Sequence, residues 1–344
     1  MRSYRLDAGA GLGGLRLEVS DLPVPGPGEV LVEVRAASLS YREAMILDGR
    51  YVLPVRAGGI PLAEGVGVVS ATGSDVAGPP VGTRVVVAVF PRWQDGPFSR
   101  DVVDQIGGSL DGMLAEHVVL PATALVAIPD DLADLSDAEA ATLPVAGLTA
   151  WNALTGGRGI RRGDTVLTLG TVGVSLFAVQ LATATGARVI ATTGNDARAG
   201  LLRELGADVV LNYRDRPDWP AAVRAATGGR GADLVVEVAG TLESSLAAVA
   251  LGGEIAVVGF VGGRPGPTLD PVTIFTTGAT LRPVAVGSRA QLVALLHAVG
   301  THRIRPVLDR VFPFDDAPEA FRHYLGGTAL GKVVITFAPN HERT

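Results

Sequence analysis

The chain has 344 residues, of which 47% are hydrophobic and 19% are charged, and its formal net charge is −6. At about 100–200 residues per domain, this length predicts two globular domains, each with its own core. The acidic balance argues against a nucleic-acid partner, because such partners need a clustered basic surface. The absence of cysteine excludes disulfides, thiolate nucleophiles and cysteine-ligated metal centres.

The first residues lack the apolar core that a signal peptide needs, and no uncharged apolar run reaches the ~20 residues of a membrane span. We therefore expect a cytoplasmic protein without a membrane partner. The five histidines show no ligand spacing and fit surface or packing positions.

Short β segments separated by glycine and proline fill the chain up to about residue 121. Apolar and polar residues alternate with a period of two in these segments, which predicts an antiparallel, barrel-like domain. The predicted strands cover residues 29–36, 65–71, 83–90 and 115–120.

From about residue 127, apolar strands alternate with helical stretches, which predicts a doubly wound parallel sheet with helices on both faces. Glycine follows three of the predicted helices, at Gly186, Gly206 and Gly252, where a left-handed cap is expected. The predicted strands cover 166–169, 188–193, 209–211, 233–238, 254–258 and 280–286. The predicted helices cover 174–185, 197–205, 219–227 and 242–251.

The secondary-structure pattern changes again in the tail, where helices are predicted over 290–299 and 318–324 and strands over 307–312 and 332–337. This mixture predicts a return to the first domain. The α/β fold then consists of a barrel-type domain (1–126 and 289–344) and a dinucleotide-binding domain (127–288).

A glycine-rich turn joins the first parallel strand to its helix, where a pyrophosphate would meet the positive end of a helix. Against the pattern G-x-G-x-x-G, Thr168 takes the first position, while Gly170 and Gly173 take the second and third. Any tight turn favours glycine, but this one opens a series of strand–helix units. The predicted cofactor contacts are Gly170, Thr171, Val172, Gly173 and Val174.

The second parallel strand ends in Thr193 and Gly194, where an NAD-binding protein usually carries an acid. Arg198 begins the next helix and offers a guanidinium to a 2′-phosphate, which favours NADPH over NADH. Asp196 lies close by and weakens the argument, and a solvated surface role for Arg198 is the alternative.

Further cofactor contacts are expected at the carboxyl ends of the parallel strands, where ligands lie in such sheets. Gly240 and Gly259 end two strands, and Phe260 and Val261 are candidates to cover the nicotinamide. Tyr213 is a candidate to stack or hydrogen-bond at the adenosine end.

Four further motifs are SLSYRE at 38–43, PLAEGVGV at 61–68, LPVAGLTAW at 143–151 and LGKVVI at 330–335. Together with the glycine turn, they resemble the medium-chain dehydrogenase/reductases, in particular the zinc-free branch related to quinone oxidoreductases and alcohol dehydrogenases. The resemblance covers nearly the whole chain. It implies a GroES-like catalytic domain, a Rossmann domain that binds NADP, and a homodimer.

The chain departs from the zinc-binding members at the metal ligands. Ser40, Ala63 and Val145 stand where those members carry cysteine or histidine, and only Glu64 keeps its family position. Alanine and valine cannot bind a metal, and serine is a poor zinc ligand. We therefore predict no metal site.

Without zinc, hydride transfer favours a substrate that is already electrophilic, such as a quinone or an α,β-unsaturated carbonyl. A zinc-free alcohol or ketone oxidoreductase and a non-catalytic NADPH-binding protein are the alternatives. Tyr51 resembles the proton-donating tyrosine of enoyl-thioester reductases in this family, and a phenol is a donor at neutral pH.

Tyr41 and Ser40 are the other catalytic candidates, because they lie in the loop that carries metal ligands in zinc-binding relatives. Thr149 resembles a residue near the nicotinamide. Lys332 is the only lysine, and a cofactor contact competes there with an ordinary charge at a strand edge. Trp93 and Phe98 either shape the substrate pocket or pack in the core.

The segment 271–287 is rich in β-branched residues and is expected at the edge of the parallel sheet. An exposed apolar edge favours self-association. We therefore predict that two copies pair through this segment about a two-fold axis.

Overall fold

The computed structural model describes residues 1–259 and 269–337, so that Phe260 and Val261 lie outside the described residues. The strands are β1 Arg2–Leu6, β2 Leu15–Val19, β3 Glu29–Ser38, β4 Glu64–Thr72, β5 Arg84–Val87, β6 His117–Pro121, β7 Leu125–Ala127, β8 Thr165–Thr168, β9 Arg188–Thr193, β10 Val209–Asn212, β11 Ala232–Glu237, β12 Val249–Val257, β13 Thr280–Pro283, β14 Leu308–Pro313 and β15 Lys332–Thr336. The helices are α1 Tyr41–Leu47, α2 Asp137–Ala140, α3 Leu148–Thr155, α4 Gly173–Thr185, α5 Ala199–Glu204, α6 Trp219–Ala226, α7 Leu242–Ala248, α8 Pro271–Thr277, α9 Arg289–His302 and α10 Ala317–Leu325.

The chain divides into two compact units. Unit 1 comprises Met1–Leu148 and Ser288–Thr344, and unit 2 comprises Thr149–Gly287. Residues 127–148, which the sequence analysis placed in the second domain, thus associate with unit 1. The domain boundaries given above stay a prediction.

A mostly antiparallel sheet forms the frame of unit 1, in the order β14-β15-β3-β4-β5-β7, with β6 paired to β3. Only β14 and β15 run parallel among these pairs. The strands bury valine, leucine and isoleucine side chains in one core, to which Phe312 and Phe321 of the tail also contribute. The tail therefore completes the sheet that the first part of the chain begins.

Unit 2 contains a parallel sheet in the order β10-β9-β8-β11-β12-β13. All four residues of β8 are buried, as expected for a central strand covered on both faces. The strand order reverses direction at β8, which lies between β9 and β11. Ligands of such sheets bind beyond the carboxyl ends of the strands at this reversal. The architecture confirms the predicted α/β fold class.

Two local predictions were wrong. The helix predicted over 242–251 ends at Ala248, because β12 already begins at Val249, and Gly252 lies within that strand rather than in a helix cap. The first part of the segment 271–287, which was expected at the edge of the sheet, is the helix α8. Asp270 caps this helix by accepting hydrogen bonds from Val272 N and Thr273 N.

Candidate functional site

The glycine turn of unit 2 has the geometry of an anion-binding loop. Gly170 has φ +73°, which favours glycine, and a Cβ there would meet no atom within 4 Å. Its amide donates to Thr192 Oγ1 at 3.2 Å. Helix α4 begins at Gly173, next to Val172 and Val174, and the first amides of a helix have no partner within it. The turn can therefore receive a phosphate group.

A polar side chain of this turn also contacts Arg198, the residue that is predicted to bind the 2′-phosphate. Arg198 Nη1 donates to Thr171 Oγ1 at 2.8 Å, so the guanidinium lies against the turn. The nearby Asp196 carboxylate accepts from Asn212 Nδ2 at 2.9 Å. Asp196 thus has its own partner, which weakens the earlier objection to Arg198.

Tyr213 covers the end of the second parallel strand. A Cβ at Gly194 would clash with the Tyr213 hydroxyl, so this ring would have to shift beside any larger residue. Thr193 is buried, and its Oγ1 hydrogen-bonds Asn195 at 3.1 Å. The structure therefore brings Gly194 and Tyr213 together at the predicted adenosine end.

The carboxyl end of β11 is shaped by a buried carboxylate that the sequence analysis did not single out. Glu237 Oε1 accepts from the amides of Ala239 and Gly240, both at 2.8 Å. The amide of Gly259 donates to the Glu237 carbonyl at 3.2 Å. Glu237 thus hydrogen-bonds both Gly240, through its carboxylate, and Gly259, through its backbone carbonyl. Thr149 is buried at the start of unit 2.

In unit 1, Lys332 is buried in an ion pair with Glu64. Its ammonium group donates to Glu64 Oε1, to the Leu39 carbonyl and, at 3.3 Å, to Ser40 Oγ. Ser40 Oγ in turn donates to Glu64 Oε1 at 2.9 Å. An ammonium group has three donors, and all three have acceptors here. Lys332 is therefore a buried member of this cluster rather than a charge at a strand edge, while a cofactor contact stays a prediction.

The second oxygen of Glu64 holds an unusual helical turn. Oε2 accepts from the amides of Val145, at 2.8 Å, and Ala146, at 3.3 Å. These residues belong to the π-helical turn Leu143–Gly147, in which the helical hydrogen bonds are displaced. Glu64 thereby connects the start of β4 to this turn and to Lys332 on β15.

A second buried ion pair joins Arg42 Nη1 to Glu43 Oε1 at 2.8 Å. Glu43 also accepts from the Ser40 amide at 3.0 Å, which connects this pair to the Lys332–Glu64 pair. Burial raises the pKa of the Glu43 carboxyl, and the Arg42 charge opposes that rise. Burial lowers the pKa of the Arg42 guanidinium, but the Glu43 charge and the hydrogen bonds to Tyr51 and Glu43 outweigh it, so the net shift is upward.

Tyr51 lies against the Arg42 end of this cluster. Its hydroxyl donates to Gln105 Oε1 at 2.8 Å, and Arg42 Nε donates to the Tyr51 hydroxyl at 3.4 Å. The Arg42 guanidinium lies 5.0 Å from the centre of the Tyr51 ring. Arg42 lies within the motif SLSYRE without having been singled out, and no motif pointed to Gln105. The structure thus brings Ser40 and Tyr51 into one polar network.

Two other tyrosines of unit 1 are Tyr41 and Tyr324. Tyr41 begins helix α1, directly after Ser40. Burial raises the pKa of the Tyr324 hydroxyl well above its ordinary value, and the nearby charges of Glu43 and Glu64 add to this rise. Tyr324 was not predicted, because a tyrosine on an amphipathic helix is an ordinary core residue in the sequence.

Trp93 and Phe98 form an aromatic cluster with Phe90, with ring centres 4.9–6.1 Å apart. Trp93 Nε1 donates to the Gly96 carbonyl at 2.9 Å, so the single hydrogen-bond donor of the indole has a partner. These contacts describe a packed aromatic cluster in which Phe90 and Trp93 are buried and Phe98 is exposed, and a role in substrate binding stays a prediction.

The predicted metal positions offer few ligands. Ala63 and Val145 are buried apolar residues, and Ser40 Oγ is already shared between Lys332 and Glu64. Within residues 1–259 and 269–337, no three His, Cys, Asp or Glu side chains come together in a way that would hold a metal ion.

Two protein-family models match parts of the chain. Residues 26–130 match the family described as an alcohol dehydrogenase GroES-like domain, and residues 173–300 match the family described as a zinc-binding dehydrogenase. A zinc-type alcohol dehydrogenase-like protein of Schizosaccharomyces pombe is 38% identical over 335 residues, which cover 95% of this chain and 96% of the relative.

Two solved structures show the same fold. A NAD-dependent alcohol dehydrogenase has a TM-score of 0.87 and 34% identity, over 98% of this chain and 100% of the other. A mycobacterial protein complexed with NADPH has a TM-score of 0.80 and 29% identity, over 98% of this chain and 99% of the other. In the part of the chain that the structure describes, no helix is both long enough and apolar enough to cross a membrane.

Proposed function

Because the chain belongs to the medium-chain dehydrogenase/reductase family, we propose that it is an NADPH-dependent oxidoreductase that needs no zinc. In this proposal it transfers hydride to a quinone or an α,β-unsaturated carbonyl. The observation that carries the proposal is the buried ammonium of Lys332, which contacts Ser40 and Glu64 at the positions where zinc-binding relatives hold their metal.

The residues at the metal positions do not fit zinc. A zinc ion near Ser40 and Glu64 would lie beside the Lys332 charge, and like charges repel strongly in a buried site. Ala63 and Val145 supply no donor atom. Elemental analysis should therefore find no stoichiometric zinc, and treatment with a chelator should leave activity unchanged. Tightly bound, stoichiometric zinc would contradict this proposal.

The residues of unit 2 fit a dinucleotide. Gly170 and the first amides of α4 would hold the pyrophosphate, Arg198 the 2′-phosphate, and Tyr213 the adenosine end. When bound, NADPH supplies the hydride. The solved relatives include one described as NAD-dependent and one complexed with NADPH, so the preference for NADPH rests on Arg198.

Tyr51 is proposed to supply the proton. Hydride adds to the conjugated carbon of an enone, and negative charge then develops on the carbonyl oxygen. The Tyr51 hydroxyl is half-buried and next to a guanidinium, so it can donate a hydrogen bond or a proton to that oxygen. Ser40 and Tyr41, at the start of helix α1, remain the alternative donors.

The decisive experiment measures NADPH oxidation with a quinone, an enone and a simple aldehyde. Tyr51→Phe removes only the hydroxyl, and it should lower kcat by ~10²–10⁴-fold, as expected for a positioned proton donor. Near-full turnover of Tyr51→Phe, together with collapse of Tyr41→Phe or Ser40→Ala, would move the donor to Tyr41 or Ser40. If all three variants keep full turnover, the proton comes from water.

A zinc-free alcohol or ketone oxidoreductase is the second candidate. Alcohol dehydrogenases among the relatives favour this reading. Preferred turnover of the simple aldehyde would support it over the main proposal. Binding of NADPH without turnover of any of the three substrates would instead indicate a non-catalytic NADPH-binding protein.

We also propose that the protein is a homodimer joined through unit 2. Helix α8 packs on β12 and exposes the large apolar side chains of Val272 and Phe275, while β12 exposes Leu251. Only the short strand β13 forms the sheet edge there, and Pro283 lacks an amide hydrogen for pairing. The apolar side chains around α8 therefore contribute most of the proposed interface.

A further inference from the structure

We infer that Gln105 is a positioning residue for the reaction. Its side-chain oxygen holds the Tyr51 hydroxyl, and Arg42 holds Gln105 in the orientation that this requires. The inference rests on the proposed function, in which Tyr51 donates a proton or a hydrogen bond to the substrate. It assigns a role to a side chain that no motif in the sequence marks.

The orientation of the Gln105 amide follows from its donors. Arg42 Nη2 lies 3.1 Å from Gln105 Oε1, and the Tyr51 hydroxyl lies 2.8 Å from the same oxygen. If the amide were flipped, its NH2 group would face the Arg42 guanidinium, and two donors would meet. Because Oε1 carries no hydrogen, the hydrogen in the contact with Tyr51 belongs to the tyrosine.

Arg42 is itself fixed on several sides. Besides Gln105, it donates to Glu43 Oε1 at 2.8 Å and to the Gly107 carbonyl at 3.0 Å, and it is buried. Its guanidinium stacks on the Tyr51 ring at 5.0 Å, a distance typical of a cation–π contact. Arg42 therefore sets the position of both the Gln105 amide and the Tyr51 ring.

The other end of the Gln105 amide has no partner. Nε2 is buried and makes no hydrogen bond within the described residues. Leaving a buried donor unsatisfied destabilises the fold. An apolar side chain of similar size would avoid this cost, so Gln105 is not the residue that packing alone would favour. Its oxygen, in contrast, has two donors, one of which is Tyr51.

The proton balance of the step is simple. The O–H bond of Tyr51 breaks and an O–H bond forms on the substrate oxygen that gained charge from hydride transfer. The phenolate oxygen left behind lies near Arg42 Nε and regains a proton from solvent water. Gln105 takes no part in this exchange. It keeps the Tyr51 oxygen in one place before the substrate oxygen takes over the hydrogen bond.

The test compares Gln105→Met with wild type, both alone and in the Tyr51→Phe background. Methionine keeps the volume and removes the acceptor, so the Tyr51 oxygen is no longer held in one place, and kcat should fall about tenfold while KM and NADPH affinity stay unchanged. In Tyr51→Phe, Gln105→Met should cause no further loss. Ser109→Ala is the matched control, because it loses the hydrogen bond from the backbone N–H of Gln105 but no contact to Tyr51.

An equal loss of kcat in both backgrounds would overturn the inference, because Gln105 would then act independently of Tyr51. A measurement that does not depend on turnover distinguishes a failure of the Gln105 inference from a failure of the proposed function. The protein has five tyrosines, so labelling with ¹³C at the ring carbon that bears the hydroxyl gives few signals, and Tyr51→Phe assigns one of them.

Gln105→Met should move the Tyr51 signal and leave the other four in place. An unchanged Tyr51 signal overturns the inference even if no substrate is turned over. If Gln105→Met does not fold, Gln105→Glu serves instead, because it keeps the volume and adds negative charge beside Tyr51. It should move the same signal and the pH profile of kcat, and no movement of either would contradict the inference.

Discussion

The ammonium of Lys332 and the carboxylate of Glu64 form an ion pair in the interior of unit 1, although 268 residues separate them in the chain. Lys332 begins β15 and Glu64 begins β4, and β3 lies between these two strands in the sheet. The pair therefore joins the tail of the chain to its first part. It also supplies the positive charge that neutralises the Glu64 carboxylate.

Replacing Lys332 by methionine should destabilise unit 1 strongly. The change leaves the buried Glu64 carboxylate without its counter-charge, and breaking a buried pair in this way typically costs about 3–5 kcal/mol. The double variant Lys332→Met, Glu64→Gln should recover much of this loss, because it removes both charges. Urea unfolding followed by circular dichroism measures the effect. A double variant that loses the sum of both single losses would show that the two residues act independently.

Arg198→Ala should weaken NADPH binding and leave NADH binding nearly unchanged. A charge-assisted hydrogen bond contributes roughly 1.5–3 kcal/mol, which is about 10–150-fold in the dissociation constant. Fluorescence titration with both cofactors measures this. Thr171→Val is the matched control, because it removes the contact from Arg198 to the turn but keeps the guanidinium. Equal weakening of both cofactors by Arg198→Ala would mean that Arg198 orders the turn rather than reading the 2′-phosphate.

The glycine turn was predictable because its signals are local. A strand, a turn with Gly170 and Gly173, and a helix follow one another within one short segment, and glycine is required there by the positive φ of Gly170. The parallel sheet was predictable for the same reason, since buried strands and capped helices each leave a local pattern.

The cluster of unit 1 was only partly predictable. Ser40 and Tyr51 came from a resemblance in sequence, whereas Gln105 lies in a loop whose residues follow no motif. Contacts such as Lys332 with Glu64 arise only when distant strands pair, and period and spacing carry no information on them. Helix α8 was missed because its β-branched residues favour a strand, whereas the Asp270 cap and Pro271 at the first turn favour a helix.

His117 should make the protein less stable in mild acid. Burial lowers the pKa of its imidazole below the ordinary value of 6.5, although Glu33 and Glu116 oppose the shift, and Nδ1 is buried without a partner in the described residues. In mild acid the unfolded chain therefore binds more protons than the folded chain. Above a pH of 6.5, His117 is neutral in both states and does not lower the free energy of unfolding. The free energy of unfolding declines as the pH falls towards the lower, folded pKa.

His117→Gln should therefore reduce the loss of stability between about pH 7.5 and about pH 5.5, as read from urea midpoints at the two values. His297→Gln, on an exposed face of α9, is the control for loss of an imidazole. If wild type and His117→Gln lose the same stability between the two pH values, other groups cause the acid sensitivity.

The proposed homodimer should dissociate when charge is introduced on the face of α8. Phe275 is 86% exposed and Leu251 is 82% exposed, so neither is buried by the described residues and a second molecule would bury a large apolar area here. Phe275→Glu would place a carboxylate on that face, and desolvating it in an interface is costly. Light scattering at micromolar concentration should give a dimer for wild type and a monomer for Phe275→Glu. Val24→Glu, at an equally exposed position of unit 1, should remain a dimer. A monomeric wild type, or a dimer that survives Phe275→Glu and Leu251→Glu together, would contradict association through this face.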